Sequence, residues 1–336
     1  MTSAYASALR KATLAAARLH RELGTQQATT NDGSRVDVFE AVLRLEVPLL
    51  FRPLDGLLGA YITNPTRGVL VTTKRPLSVQ RFTAAHELGH ERMGHQISLD
   101  DDSILRRSPY AAQTSYDLRE VEADAFAVEF LMPRWLVAWH CERQGWTAAS
   151  LKHPETMYQL SLRIGISYEA ACWTMVHHKF LPLSAAQRLT AVEPRTIKAS
   201  LLGNYQPNDF WGDVWILTEA DKESRISGSR ADLFVLRLPE HSGGGYLWSF
   251  DELQKTGFVI VADERETPDE SSIGDHVIRK VTALSKDRQQ GELHLTESRP
   301  WQTTQSLNTF LLSYDLTGPE QGGYSQAERR QLIEAA

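Results

Sequence analysis

The feature that most restricts the fold is a change of residue pattern near residue 204. Before this point, apolar residues recur mainly at helical spacing. After it, seven short apolar segments with alternating polar residues follow one another between residues 211 and 316, separated by turn residues. Such a series is typical of an antiparallel sandwich or barrel. The sequence therefore predicts an α+β protein of several domains, with a mainly helical N-terminal part.

The N-terminal part contains one predicted hairpin and two strong predicted helices. Residues 59–73 have the pattern of a hairpin with its turn at 64–68. The first helix, RFTAAHELGHERMGH, is predicted to begin near Ser78 or Gln80. The second, LREVEADAFAVEFLM, is predicted to begin near Asp117 and to end before Pro133. We expect the polar residues between these helices, 96–115, to form a loop over a cleft.

The composition excludes several classes of protein. The chain has 36 basic and 42 acidic residues, so its overall field does not favour phosphate. Its cysteines, Cys141 and Cys172, are too few for a disulfide framework or a cysteine-based zinc site. No apolar run approaches the roughly 20 residues that cross a bilayer, and the N-terminus lacks the apolar core of a secretory signal. We therefore expect a cytoplasmic protein with no membrane partner.

A second helical block, TMYQLSLRIGISYEAACWTMV, resembles a helix, a glycine-containing turn and a helix. Its second helix has no arginine or lysine before Lys179. Phosphate neutralisation and base recognition both favour cationic side chains on such a helix. The sequence therefore argues against direct binding of nucleic acid and favours a structural role, either completing the neighbouring domain or receiving a substrate.

The strongest chemical signal is the pair His86 and His90, four residues apart with Glu87 between them. On a helix this spacing places both imidazoles on one face, where they can bind one metal ion. Glu87 can reach a water at such a site without being a ligand, which suits a general base. Metal analysis should therefore find a divalent ion, and we expect Zn²⁺.

A catalytic zinc site also needs a third protein ligand. Glu120 and Asp124 lie four residues apart on the next helix. We predict that Glu120 is the ligand and that Asp124 holds a ligand histidine by a hydrogen bond. Glu122 is the alternative ligand, but it points roughly 200° around the helix from Glu120 and is expected to be solvated. His95 is expected to be a surface or loop histidine.

These residues resemble the ImmA/IrrE family of metallopeptidases over about residues 35–140, and the family's additional helical block would extend the likeness to about 190. Asp124 stands where that family often has asparagine. The matching residues are Arg81, Phe82, Thr83, His86, Glu87 and His90, followed by Glu120, Ala123, Asp124, Phe126, Ala127, Leu131, Met132 and Pro133.

The resemblance implies a zincin-like domain with a gluzincin-like ligand set. It further implies cleavage of a protein, typically a helix-turn-helix repressor, in response to stress or to a mobile element. Tyr110 and Tyr116 are candidates to stabilise the oxyanion of the transition state. Arg81 is expected to be structural, for example by pairing with a carboxylate.

A second resemblance concerns the C-terminal β-rich part, which is similar to chagasin-type inhibitors of papain-like cysteine peptidases. Gly245, Tyr246 and Trp248 match one loop and strand of that family, and Arg299 to Trp301 match its Arg-Pro-Trp loop. The resemblance implies an immunoglobulin-like sandwich whose loops recognise a peptide or a peptidase. Alternatively, Trp248 and Trp301 are core or rim aromatics of the sandwich.

The sequence thus predicts four segments: a metallopeptidase domain (1–140), a helix-turn-helix-like subdomain (141–200), a chagasin-like antiparallel sandwich (201–318) and a polar tail (319–336). The leading functional hypothesis is a zinc endopeptidase with a recognition domain. One alternative is a non-enzymatic regulator that binds DNA or a repressor. Another is an inhibitor or scaffold that engages a cysteine peptidase through the C-terminal loops.

Overall fold

The structure is a computed structural model that describes residues 3–64, 66–95, 98–100, 117–266, 277–287, 289–325 and 327–329. The helices are α1 (Ser3–Leu23), α2 (Thr25–Asn31), α3 (Val38–Arg44), α4 (Leu77–Met93), α5 (Leu118–Leu131), α6 (Arg134–Gln144), α7 (Pro154–Ile164), α8 (Tyr168–His177), α9 (Leu183–Thr190), α10 (Pro194–Leu202) and α11 (Asp251–Lys255). Within these ranges, no helix combines the length and the apolar character needed to cross a membrane.

The strands form three sheets. They are β1 (Leu49–Arg52), β2 (Gly59–Ile62), β3 (Gly68–Thr72), β4 (Ser98–Asp100), β5 (Val214–Leu217), β6 (Ser224–Ser227), β7 (Leu233–Glu240), β8 (Leu247–Ser249), β9 (Phe258–Glu266), β10 (Val277–Ser285), β11 (Gln290–Arg299), β12 (Gln302–Asp315) and β13 (Gly323–Tyr324). The first sheet has the order β13-β1-β3-β2-β4, and the other two have the orders β5-β7-β10-β9 and β6-β12-β11-β8.

The N-terminal sheet contains the predicted hairpin. Strands β2 and β3 pair antiparallel, with Gly59 opposite Val71 and Ile62 opposite Gly68. Strand β1 joins β3 in parallel. The hairpin lies against α4, and side chains from the sheet and helix share one apolar core. This packing places α4, the helix that carries both histidines, across the sheet.

The ends of α4 and α5 follow from their sequence. Helix α4 starts after Pro76 and ends at Gly94, whose φ of 70° is a left-handed conformation that glycine adopts without strain. Helix α5 starts after Asp117, whose side chain accepts a hydrogen bond from the Arg119 backbone N–H. It ends before Pro133, as predicted, because proline restricts the residue that precedes it.

The second helical block connects the N-terminal sheet to the β-rich part. Helices α7 and α8 are separated by a turn at Gly165, as the sequence predicts. The Gln159 side chain donates to the Val214 carbonyl at 2.7 Å and accepts from the Ile216 N–H at 2.9 Å. It thus bonds the free edge of β5 as a neighbouring strand would. Helix α7 is therefore a structural link between the two parts of the chain.

The C-terminal part contains all seven predicted strands, arranged as two sheets with a common core. Phe258 on one sheet packs edge-on against Tyr314 on the other, with ring centroids 5.3 Å apart. The prediction that this sandwich is antiparallel throughout is wrong at two pairs: β5 pairs with β7 in parallel, and so does β6 with β12. The chain switches sheets from β5 to β6 and back to β7. Strands β5 and β7 are therefore not joined by a hairpin turn, which would have made them antiparallel.

Part of the segment predicted as a polar tail lies on the N-terminal sheet. Gly323 and Tyr324 pair antiparallel with Phe51 and Leu50 of β1. Nearby, the Gln80 side chain of α4 exchanges two hydrogen bonds with the Glu320 backbone, at 3.1 and 2.8 Å. The sheet beneath the two histidines is therefore completed by residues from the far end of the chain.

Candidate metal centre

Gly89, between the two histidines, allows α4 and α5 to approach each other closely. A Cβ atom at this position would lie 3.1 Å from Phe126 Cδ1 and 3.2 Å from the Ala123 Cα. Any larger residue would therefore push α5 away from α4. The close approach brings the first turn of α5, which carries Glu120, over the two imidazoles.

Three side chains converge as the sequence predicts. The Nε2 atoms of His86 and His90 lie 3.0 Å apart. Glu120 Oε2 lies 3.4 Å from His86 Nε2, and Glu120 Oε1 lies 3.8 Å from His90 Nε2. Both histidines are buried, while the Glu120 side chain retains 19% of its exposure. The group is therefore buried at the two imidazoles and partly exposed at the Glu120 carboxylate.

These distances fit a tetrahedral zinc site. Two ligand atoms bound at about 2.0–2.1 Å to such an ion are separated by roughly 3.3 Å. The separations around His86 Nε2 lie within a few tenths of an ångström of that value. Two imidazole nitrogens and one carboxylate also form the donor set of a catalytic zinc site, which leaves the fourth position to water or substrate.

Asp124 lies beside the ring nitrogen of His86 that faces away from the candidate metal site. The Oδ1 atom of Asp124 lies 2.9 Å from His86 Nδ1, and its side chain is almost fully buried. An Nδ1–H that donates to this carboxylate leaves the lone pair of Nε2 directed at the site. The structure places both carboxylates beside the imidazoles, and the ligand role of Glu120 and the orienting role of Asp124 stay predictions.

His90 is oriented by a chain of residues that the sequence reading assigned differently. His90 Nδ1 lies 2.9 Å from His95 Nδ1, and His95 Nε2 lies 2.9 Å from Glu122 Oε2. One proton arrangement satisfies both contacts: His90 Nδ1–H donates to His95, and His95 Nε2–H donates to Glu122. His95 lies in the segment after α4, as expected for a loop histidine, but its side chain is buried, and the expectation that Glu122 is a solvated acid is wrong. Glu122 also pairs with Lys11 at 2.6 Å.

Glu87 is fully buried beside the ligand histidines, in a space that depends on a glycine. A Cβ atom at Gly59 on β2 would lie 3.0 Å from Glu87 Oε1 and 2.4 Å from Thr83 Cγ2. The hairpin thus keeps open the volume that the Glu87 carboxylate occupies. Tyr110 and Tyr116, the predicted oxyanion stabilisers, lie outside the described residues.

Arg81 is structural, but its partners differ from those expected. Its guanidinium donates to the backbone carbonyls of Gly165, Val36 and Ile164, at 3.0, 2.8 and 3.3 Å. The expected carboxylate partner is replaced by these three carbonyl oxygens. Arg81 thereby fastens α4 to the end of α7.

A second group of metal-ligating side chains, which the sequence reading missed, lies between α5 and α8. Glu129, His177 and His178 have ligand-type atoms within 4.8 Å of one another. His177 Nε2 lies 2.7 Å from Glu129 Oε1, while His178 Nε2 donates to the Met132 carbonyl at 2.7 Å. These hydrogen bonds join the two helices and account for the group without an ion.

Four of the five candidate recognition residues of the C-terminal part form one surface. The Arg299 guanidinium lies 4.5 Å from the centroid of the Tyr246 ring. Trp301 is 74% exposed, and a Cβ at Gly245 would lie 2.8 Å from its ring. Trp248 is different, because its ring is buried and its Nε1 donates to the Pro239 carbonyl at 2.7 Å. For Trp248, the structure favours the alternative of a core aromatic.

Comparison with known proteins assigns the two parts separately. The profile of the IrrE N-terminal-like domain matches residues 44–175, and that of the chagasin family of peptidase inhibitors matches residues 229–314. The radiation response metalloprotease IrrE of Deinococcus radiodurans is 30% identical over 158 residues, which is 46% of this chain and 44% of that protein. The chain therefore spans less than half the length of this curated relative.

Two solved structures are also similar in part. The cysteine protease inhibitor EhICP2 of Entamoeba histolytica is 19% identical, covers 32% of this chain and 99% of its own, and gives a TM-score of 0.27. A transcriptional regulator of Mycobacterium tuberculosis is 12% identical, covers 84% of this chain and 81% of its own, and gives a TM-score of 0.32. The chain is thus similar in its N-terminal part to the IrrE N-terminal-like domain and in its C-terminal part to the chagasin family of peptidase inhibitors.

Proposed function

We propose that this protein is a zinc-dependent endopeptidase that cleaves another protein. The observation that carries the proposal is the convergence of His86, His90 and Glu120 beside the buried carboxyl group of Glu87. A site that served only to stabilise the fold would not need a carboxylate next to its ligands. The relative that is named a metalloprotease supports the same activity.

Each residue of the proposed site has its own chemical role. A bound zinc ion supplies a Lewis acid that polarises the scissile carbonyl group and makes water more acidic. Glu87 takes the proton from the attacking water and gives it to the leaving amine. Asp124 and His95 hold the two imidazoles in the tautomers that ligation requires. Burial of Glu87 strengthens its interactions, because the surrounding medium screens charge weakly.

We further propose that the substrate is a transcriptional repressor, cleaved in a stress or mobile-element response in the cytoplasm. The ImmA/IrrE resemblance suggests this class of substrate, and the relative is named for a radiation response. In this proposal the helix-turn-helix-like block does not bind DNA, because its helix α7 forms hydrogen bonds with the C-terminal part.

A Glu87→Gln variant tests the activity. We expect it to bind zinc with wild-type stoichiometry and to cleave its substrates at least about 10²-fold more slowly. Zinc content is measured on the purified protein. Cleavage is measured by sequencing new N-termini in cells that express each form.

The exposed glutamate of α6 provides the matched control, as Glu142→Gln. This variant should produce the same new N-termini as the wild type. If Glu87→Gln also produces them, the enzyme proposal is wrong and the non-enzymatic alternative gains support.

We propose a second role for the surface formed by Gly245, Tyr246, Arg299 and Trp301, which is to bind a polypeptide such as a peptidase or a substrate. An exposed tryptophan beside a stacked arginine–tyrosine pair is a typical binding surface. Full-length protein carrying Glu87→Gln is mixed with papain, and residual papain activity is measured.

Inhibition that is lost in Trp301→Ala would support the peptidase as partner. The control is Trp211→Ala, which removes another exposed tryptophan elsewhere in the chain. Lack of inhibition at high micromolar concentration would remove papain-like peptidases as partners. The surface would then be proposed to bind a substrate instead of a peptidase.

A further inference from the structure

A cavity of about 490 Å³ lies between the N-terminal part and the C-terminal sandwich. Leu23, Phe39 and Leu77 form apolar parts of its wall, and β6 and the end of β12 form the opposite side. Its volume falls in the range of pockets that hold small organic molecules, and it is far larger than an inorganic ion needs. We call this space the interdomain cavity.

Two guanidinium groups meet at the wall of the interdomain cavity. Arg35 and Arg81 both line it. A Cβ atom at Gly165 would lie 2.6 Å from Arg35 Nη1 and 3.0 Å from Arg81 Nε, so both cations lie against the same glycine. Burial, and then the neighbouring Arg35, lowers the pKa of Arg81. Two adjacent cations at one wall favour an anion in the space beside them.

The guanidinium of Arg35 has unused hydrogen-bonding capacity. Its single hydrogen bond to the described residues is a long one, 3.4 Å from Nη1 to the Ser227 carbonyl oxygen, and it forms no ion pair with them. Arg81 differs, because three carbonyl oxygens accept from its Nε and Nη2. A guanidinium has five N–H donors, arranged to fit carboxylate and phosphate oxygens. Arg35 is therefore the group with most to gain from an oxyanion.

The carboxylates around the cavity already have donors within the protein. Asp37 accepts from the N–H groups of Phe39 and Glu40, where α3 begins. Asp315 accepts from the Thr317 backbone and hydroxyl and from Gln290. Asp32 faces Arg225 at 3.9 Å, and Glu320 faces Arg329 at 3.4 Å. None of these four acids forms an ion pair with Arg35 within 4.0 Å, although the charges of Asp37 and Asp315 favour its cationic form.

We propose that the interdomain cavity binds a small organic molecule whose phosphate or carboxylate head group pairs with Arg35. The apolar wall formed by Leu23, Phe39 and Leu77 accommodates the body of the ligand. Because the cavity has walls from both parts of the chain, such a ligand bridges the IrrE-like and chagasin-like domains. The inference does not depend on the proposed peptidase activity.

Binding of three probes to the full-length, metal-free protein tests the proposal. The probes are phenyl phosphate, benzoate and inorganic phosphate, and removal of metal prevents them from binding at the zinc site. We expect phenyl phosphate or benzoate to bind saturably by calorimetry and to raise the Tm with concentration. The tighter binding of one of these two probes identifies the preferred head group. Weaker binding of inorganic phosphate than of phenyl phosphate shows the contribution of the apolar wall.

The variant Arg35→Gln should weaken binding at least tenfold, while Arg10→Gln, which changes an exposed arginine of α1, should not. A second variant, Ser227→Asp, places a carboxylate at the same wall. It should abolish probe binding and raise the Tm measured without probe. This variant tests the proposal even if Arg35→Gln does not fold. The proposal is overturned if none of the probes binds, or if Arg35→Gln or Ser227→Asp binds them as the wild type does.

Discussion

At the scale of single residues, His86 and His90 of the candidate metal centre contact different partners through Nδ1. The Asp124 contact follows from the spacing of α5, so the sequence predicts it. The His95 contact depends on the chain reversal at Gly94, which returns the next residue to the side of His90. Helix α4 ends before His95, so helical spacing does not predict which side chains His95 contacts. This is why the sequence reading missed it.

Replacing His95 by alanine should weaken zinc binding by about 10–100-fold, because His90 loses the acceptor that fixes its tautomer. Competition with a chelator at constant pH measures this affinity. His153→Ala, at an exposed histidine, should leave it unchanged. Equal affinities in wild type and His95→Ala would show that the Glu122–His95–His90 chain does not support ligation.

Gly59→Ala should lower both stability and peptide cleavage. The new methyl group overlaps Thr83 Cγ2 and approaches the Leu70 carbonyl and the Glu87 carboxylate, and overpacking of this kind costs about 1–3 kcal/mol. Thermal unfolding and cleavage rates measure the two effects. Gly68→Ala in the same hairpin is the control, since its nearest contact would be an ordinary 3.4 Å. Similar losses in both variants would contradict this account.

At the scale of helices and strands, the sequence predicts most elements but few of their edge pairings. Helices α4 and α5, the β2–β3 hairpin and seven C-terminal strands follow from periodicity and turn residues. Strand β6, with the sequence SRIS, has only one strongly apolar residue and gives no clear alternation. Strand β13 has two residues. Both strands form because another strand offers them an edge, β12 for β6 and β1 for β13.

The pairing of Arg163 with Asp221 is the strongest polar link between α7 and the segment that follows β5. Both side chains are buried, and Arg163 Nη2 lies 2.8 and 2.9 Å from the two carboxylate oxygens. Asp221→Asn should therefore destabilise the protein by about 3–5 kcal/mol, because it leaves a buried guanidinium without a counter-charge. Denaturant unfolding measures the loss.

Two comparisons make this prediction specific. Glu252→Gln, in the exposed pair with Lys255, should have no measurable effect. The double variant Arg163→Met and Asp221→Leu should lose less than the sum of its single changes, since no unpaired charge remains. A strictly additive result would mean that the two side chains act independently.

At the scale of the whole molecule, the two families of domain are joined by contacts that neither family profile contains. Residues 323–324 extend the N-terminal sheet, and the Glu320 backbone bonds the buried Gln80 of α4. The change of residue pattern separates a helical part from a β-rich part, but it cannot reveal that the chain returns to its first sheet. Long-range pairing of a two-residue strand has no local signature.

Deletion of residues 319–336 should therefore lower the Tm of the N-terminal part by roughly 5 °C, because it removes several backbone hydrogen bonds. It should also reduce peptide cleavage, since Gln80 lies on the helix that carries both histidines. Calorimetry and cleavage rates check these outcomes. Deletion of residues 330–336 alone retains β13 and should have a smaller effect. An unchanged Tm after the longer deletion would show that the returning strand adds no stability.

The returning strand also has a consequence for biosynthesis. Ribosomes release residues 44–175 well before residues 323–324 have been polymerised, so during that interval β1 is an open edge. The sheet under the histidine pair is completed only after the chagasin-like domain has been translated and residues 323–324 can pair with β1. Folding of the candidate metal centre is thus coupled to completion of its C-terminal neighbour, and a nascent or prematurely terminated chain would carry the histidine pair on an incomplete sheet.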